Sequence, residues 1–188
     1  MGLIGLLIFV VIVFIIVAWL ISMYNRLVRL RNTVRSSFSD IDVQLKKRYD
    51  LVPNLVETVK GYAAHEKGVF EKVTQARAQA MQAGSPKEMA EKDNMFKETM
   101  KSLFAVAEAY PELKANTNFL QLQSQFQELE NSIEAARRYY NAVVRDYNTS
   151  IETFPANMMA SSFGFKQEEF FQLDSPEERK PVKGDFSS

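Results

Sequence analysis

The sequence predicts an all-α chain in which a single N-terminal transmembrane helix continues into an up-and-down antiparallel four-helix bundle with long helices. Three observations predict it. Leu3 to Ile21 are 19 apolar residues without a break. Beyond them, apolar residues recur three or four apart almost everywhere, which is the helical period. The segments between periodic stretches are short, and short connections force successive helices to lie antiparallel.

The opening stretch is taken first. No charged side chain occurs in residues 1–25. A run of 19 apolar residues is long enough to cross a hydrocarbon core about 30 Å thick. It has no polar stripe, which a core helix of a soluble domain would show. Trp19 and Tyr24 stand at its C-terminal edge, where amphipathic rings favour the headgroup level. A cleaved signal peptide fits worse: no Lys or Arg precedes the run, and Ala18-Trp19-Leu20 lacks a small-x-small cleavage pattern. Without cysteine a lipid-attachment box is excluded too. Arg26, Arg29, Arg31 and Arg35 follow the run closely, so the N-terminus is expected outside and the larger C-terminal part in the cytoplasm.

Formal net charge is zero, but it is unevenly placed. Residues 26–49 carry +5 and the remainder −5. The four arginines beside the span are candidate contacts for anionic lipid headgroups, at roughly 1 kcal/mol each when well placed. Their alternative role is only to set topology. An acidic remainder without a basic stripe argues against nucleic-acid binding. The lack of cysteine removes disulfides, thiolate metal sites and cysteine nucleophiles together.

Leu27, Leu30, Val34, Phe38, Ile41 and Leu45 make an apolar seam on a helix from about Tyr24 to Arg48, continuous with the span. Pro53 lacks the N–H that would bond to the carbonyl of Tyr49, so the chain is expected to kink or restart there. A second helix is expected from Pro53 to Ala83, with Gly61 and Gly68 letting a neighbour approach closely. Gly84-Ser85-Pro86-Lys87-Glu88 reads as helix stop, N-cap, first position and capping box. A third helix runs from Pro86 to about Tyr110, where Pro111 interrupts it. The fourth carries Phe119, Leu122, Phe126, Leu129, Ile133, Ala136, Tyr140, Val143 and Tyr147, with Phe154 extending the seam towards Pro155. The boundaries are thus an anchor over 1–25, a bundle over 26–155 and an aromatic strap over 156–171. The Pro- and charge-rich tail at 172–188 should be disordered. Phe163, Phe165, Phe170 and Phe171 make the strap a candidate assembly element, lying on the bundle or on a second subunit.

Catalytic signals are sparse. There is no Gly-rich phosphate loop, no G-x-S-x-G and no dinucleotide fingerprint, so no cofactor is expected. His65-Glu66 resembles the start of a zinc-protease helix but lacks the second histidine. A metal site using Glu57 and His65 would need further ligands from another helix; otherwise His65 is an ordinary surface residue. A polar cluster around Pro53 includes Asp42, Lys46, Arg48, Asp50, Asn54, Glu57 and Lys60. With His65 it is a candidate interaction surface, or else a capping and salt-bridge network holding the kink. Tyr140-Asn141 and Tyr147-Asn148 lie one heptad apart and could stack as a buried ladder fixing helix register.

Several stretches together resemble the LemA family. They are Tyr24-Asn25-x-Leu27-Val28, the unbroken block from Asp42-Val43-Gln44 through Arg48-Tyr49-Asp50-Leu51-Val52-Pro53-Asn54 to Gly61-Tyr62-Ala63, His65-Glu66, Tyr110-Pro111-x-Leu113-Lys114-Ala115, and the two Tyr-Asn pairs. The likeness runs from the anchor to about residue 171. It implies a bacterial protein with an N-terminal transmembrane helix and a helical-bundle domain, and no established catalytic activity. Some relatives are associated with membrane organelle formation, others with envelope stress. The expected function is therefore a structural or interaction protein of the inner membrane, self-associating and in contact with lipid and other membrane proteins. An envelope-stress or signalling regulator is the first rival, and a metal-dependent enzyme the second.

Overall fold

The structure, a computed structural model, describes residues 2–171. All regular elements among them are helices: α1 Gly2–Lys60, α2 Lys67–Ala80, α3 Pro86–Ala109, α4 Pro111–Lys114, α5 Thr117–Glu152 and α6 Ala156–Phe163. The tail expected to be disordered lies outside the described residues.

The apolar run and the first seam form one helix, α1, of 59 residues, about 88 Å long at 1.5 Å per residue. Its N-terminal third is long and apolar enough to cross a membrane, and none of that window is buried inside the protein. The expected restart at Pro53 does not occur: α1 passes through the proline and ends at Lys60. Proline leaves the carbonyl of Tyr49 without its helical donor, and a side chain supplies the missing bond. Arg77 of α2 donates from Nε to the Tyr49 carbonyl at 2.6 Å, while its Nη2 lies 3.6 Å from Asp50 Oδ1. The helix therefore tolerates Pro53. The real break is the segment 61–66, where the N–H groups of Tyr62 and Ala63 both bond to the carbonyl of Val59. Gly61 opens this break and Gly68 lies in the first turn of α2; neither lines a helix contact. A Cβ on Gly68 would meet nothing within 4 Å, and on Gly61 only backbone carbonyls of its own helix, that of Thr58 nearest at 3.4 Å.

The turn before α3 has the expected chemistry. Ser85 caps α3 by accepting from the Glu88 N–H at 3.2 Å, and Glu88 reaches back to the N–H of Gly84 at 3.0 Å. The reciprocal bond thus closes one residue earlier than in a standard capping box. Asn116 caps α5 by accepting from the Phe119 N–H at 3.0 Å, and its amide donates to the hydroxyl of Tyr62 at 2.9 Å. That contact sets the start of α5 beside the end of α1 and keeps Tyr62 out of the core.

α1 packs chiefly on α5, and α2 chiefly on α3. Pairs along the first contact fix its direction: Tyr24 meets Phe165, Phe38 meets Tyr140, and Tyr62 meets Asn116. Rising numbers on α1 face falling numbers on the C-terminal half, so the two helices are antiparallel. Ile41, Leu55, Val59, Val73, Phe96, Leu103, Ile133 and Val144 are wholly buried where the elements meet. Phe154 is not part of the seam. α5 ends at Glu152, and the Phe154 ring is 79% exposed.

If Arg77 completes the helix at the proline, Arg77→Ala should cost about 1.5–3 kcal/mol in urea unfolding, the usual worth of a charged hydrogen bond. In a Pro53→Ala background the backbone N–H restored at position 53 can serve the Tyr49 carbonyl, so the same substitution should cost less than half as much. Equal costs in the two backgrounds would contradict this role.

Candidate functional site

The most unusual group in the body is a guanidinium with no exposure to solvent. Arg48 of α1 is wholly buried, as is Asp93 of α3. Arg48 donates to Asp93 through Nη2 and to Glu130 of α5 through Nη1. Lys97 lies 3.0 Å from Glu130 and 3.4 Å from Asp93, and Arg137 lies 3.6 Å from Asp93. The guanidinium also lies 4.7 Å from the centre of the Phe96 ring and 5.0 Å from that of Tyr49. Burial alone would weaken its charge. The carboxylates of Asp93 and Glu130 overcome that and hold its pKa above the usual arginine value. Burial likewise pushes the Tyr49 hydroxyl up to about 12. Three helices meet in this network, and Arg77 joins α2 to it one residue along α1.

Arg48 is thus no part of an interaction surface; of the two roles the sequence offered for its cluster it takes a salt-bridge one, with acids on other helices. It sits three residues after Leu45, on the face that the seam buries. The other candidates remain exposed: Asp42, Lys46, Asp50, Asn54, Glu57 and Lys60 on α1, and His65 in the loop after it. Those on α1 spread over about 27 Å of helix and do not converge. Glu57 pairs with Lys60 at 3.3 Å, and Asp50 binds Arg77 instead of capping a second helix. Asp50 and Asn54 share a hollow of about 490 Å³ with Leu51, Glu128 and Leu129, between α1 and α5. No group of three or more His, Asp or Glu side chains placed to hold a metal ion occurs among the described residues.

The two Tyr-Asn pairs bond to the strap rather than to each other. Asn141 exchanges two bonds with the backbone of Phe171, its amide donating at 3.1 Å and its oxygen accepting at 2.8 Å. Asn148 does the same with Glu168, both at 2.9 Å. Each amide imitates a neighbouring β-strand. Between them, the hydroxyl of Tyr140 donates to the carbonyl of Glu169 at 2.7 Å, and that of Tyr147 to Lys166 at 3.0 Å. Burial, with Glu168 and Glu169 nearby, pushes Tyr140 up to about 12. Burial and Glu168 also raise Tyr147, against the opposing pull of Arg31 and Arg35. Both hydroxyls therefore stay protonated and remain donors. Phe165 and Phe171 are buried under this clamp, with Arg137 over the Phe171 ring at 4.7 Å. Of the strap aromatics, only Phe163 is largely exposed, at 61%.

The arginine collar divides in the same way. Arg26, Arg29 and Arg35 are exposed, whereas Arg31 is half-buried with its guanidinium 4.9 Å from the centre of the Phe165 ring. Arg31 belongs to the strap contact, and three arginines are left facing outward.

A family model described as the LemA family matches residues 37–186. The chain belongs to the LemA family. The matched region begins after the apolar run, and both the ion network and the clamp lie within it. The chain is 26% identical to magnetosome protein MamQ 2 of Paramagnetospirillum magneticum, over 83% of its own length and 67% of that protein's. To protein LemA of Metamycoplasma hominis it is 27% identical, over 81% of its length and 70% of the relative's. A MamQ protein of Magnetospirillum gryphiswaldense is 23% identical over 81% of this chain and 65% of its own. The chain therefore spans about two-thirds of these relatives.

One further opening lies in the LemA body. α3 and α5 diverge around a groove of about 480 Å³, floored by Met100, Phe104 and Phe126 and rimmed by Lys97, Glu130 and Glu134. Its rim shares Lys97 and Glu130 with the ion network. Asp93, Lys97, Glu130 and Arg137 were not singled out in the sequence. The available signal was an acid, Asp93, standing between Ala90 and Phe96 on an otherwise apolar face.

Two outcomes follow. Arg48→Ala strands a buried carboxylate, and should cost about 3–5 kcal/mol in urea unfolding. Arg48→Met combined with Asp93→Leu should recover most of that; a single-variant cost below about 1 kcal/mol would contradict the network. Asn148→Ala removes two strap bonds of about 0.5–1.5 kcal/mol each. Amide exchange at Glu168 should then quicken about tenfold or more, with α3 amides unchanged.

Proposed function

We propose that this LemA-family chain is a membrane-anchored scaffold without catalysis. In this reading residues 1–25 cross the bacterial inner membrane with the N-terminus outside. An up-and-down antiparallel four-helix bundle over 26–155 stands in the cytoplasm, associates with copies of itself and so organises the membrane surface.

The observation that carries the reading is α1. An apolar segment with no burial inside the protein continues without a joint into the core of the body, so the proposed anchor and the folded domain are one rigid object. Arg26, Arg29 and Arg35 face outward just beyond the apolar run, as positive residues on the retained side do. The grooves beside α5 offer apolar floors with charged rims, a chemistry suited to another helical surface. Tethering to a membrane raises the effective concentration of copies, which favours weak self-association. Relatives named as magnetosome proteins agree with a role at a membrane. The exposed candidates Asp42, Lys46, Asp50, Asn54, Glu57, Lys60 and His65 would then face partners, and lipid headgroups would meet the three outward arginines.

The uninterrupted α1 also favours a second reading, a regulator that carries a signal from the bilayer along this helix to the 61–66 loop. Amine cross-linking in native membranes separates the two: covalent oligomers are expected for the scaffold, and monomer alone would end that proposal. Protease added to right-side-out vesicles should leave the body intact, and its digestion would reverse the orientation.

A further inference from the structure

The corner after α5 carries apolar groups that the body does not use. From Thr153 to Phe165 no residue is charged, and α6 occupies most of this stretch. Its inner side is accounted for: Ala160 is buried, and one edge of Phe163 meets the Tyr24 ring at a centroid distance of 5.0 Å. Much of the rest of its surface is exposed, Asn157, Ser161 and Ser162 included, and so is Phe154 just before it. Phe154 is 79% exposed, Met158 65% and Phe163 61%.

What stands beside these groups identifies their partner. Met159 and Phe163 share a wholly apolar hollow with Leu20, Ile21 and Tyr24, at the end of the apolar run. Phe154 and Pro155 line a second hollow with Trp19, Ser22 and Arg26. The exposed surface of α6 therefore continues the unburied surface of the span, at the level where apolar side chains give way to basic ones. A short uncharged helix with exposed Met158 and Phe163, next to outward arginines, suits the boundary between acyl chains and anionic headgroups.

We propose that α6 and the Phe154–Pro155 corner form a second membrane contact, lying in the interface beside the span with Phe154, Met158 and Phe163 dipped among the lipids. This deepens the scaffold reading and rests on its membrane anchor. The span holds the chain in the bilayer, and α6 fixes how the body is turned about it. The strap clamp on α5 holds α6 in place from its C-terminal side through Gly164, whose φ of 70° ends the helix.

The native chain has no cysteine, so single-cysteine variants carry a probe at one place only. Full-length Met158→Cys, Phe14→Cys and Ala64→Cys would each be labelled with a polarity-sensitive fluorophore. The proteins would be reconstituted in phosphatidylcholine–phosphatidylglycerol vesicles containing nitroxide lipids, with the nitroxide placed shallow or deep. The probe at 158 should shift to the blue and be quenched by the shallow nitroxide; the probe at 64, in the distant loop, should show neither effect. Quenching at 14 by the deep nitroxide with none at 158 overturns this inference and leaves the anchor standing. A blue shift at 158 without lipid quenching also overturns it, and assigns the face to a second copy of the chain. No quenching at 14 overturns the anchor, and the α6 contact with it.

Discussion

A buried charge has to be matched where it lies, and in this protein that requirement falls on one level of the helical body. Arg48 is shut away from bulk solvent, so Asp93 of α3 and Glu130 of α5 must stay beside it. Removing any partner leaves another uncompensated in a medium that solvates charge poorly. One residue further along α1, the carbonyl released by Pro53 binds Arg77 of α2. The four long helices are thus joined by polar bonds within a single layer. Apolar packing tolerates small slides of one helix past another, but directional bonds between charged groups do not. The layer sets the register, and the apolar seams fill the space above and below it.

The C-terminal strap extends the same logic to a segment with no regular structure after Gly164. An extended chain laid on a helix cannot find backbone partners there, because the helix has used its own. Asn141 and Asn148 provide side-chain amides in their place, one heptad apart, so that both face the same track. Tyr140 and Tyr147 occupy the preceding positions and satisfy two more strap carbonyls. Held in this way, the strap buries its own Phe165 and Phe171 against the body.

Much of the helical content could be read from the chain because its signals are local. The apolar run, the Ser85 cap with Glu88, the interruption at Pro111 and the seven-residue rhythm from Phe119 to Tyr147 each involve neighbours in sequence. The misreadings share the opposite cause. Pro53 carries a genuine stop signal, overruled by an arginine 28 positions from the carbonyl it serves. Arg48 looked like one more charge in a polar cluster, since its two acidic partners lie on other helices. The Tyr-Asn pairs were visible as a pattern, but their partner was a backbone stretch with no motif of its own.

The absence of a joint in α1 has a mechanical consequence. From Ser22 to Lys60 the helix extends about 58 Å without a break. A transmembrane helix commonly leans by about 20°; if the apolar run spans a bilayer as proposed, a body continuous with it leans too. The distal loop at 61–66 is then displaced sideways by about 20 Å, following from that length and angle. On the proposed anchoring the chain would act as a lever with its fulcrum in the lipid, and a change in bilayer thickness that alters the lean would be magnified at the far tip.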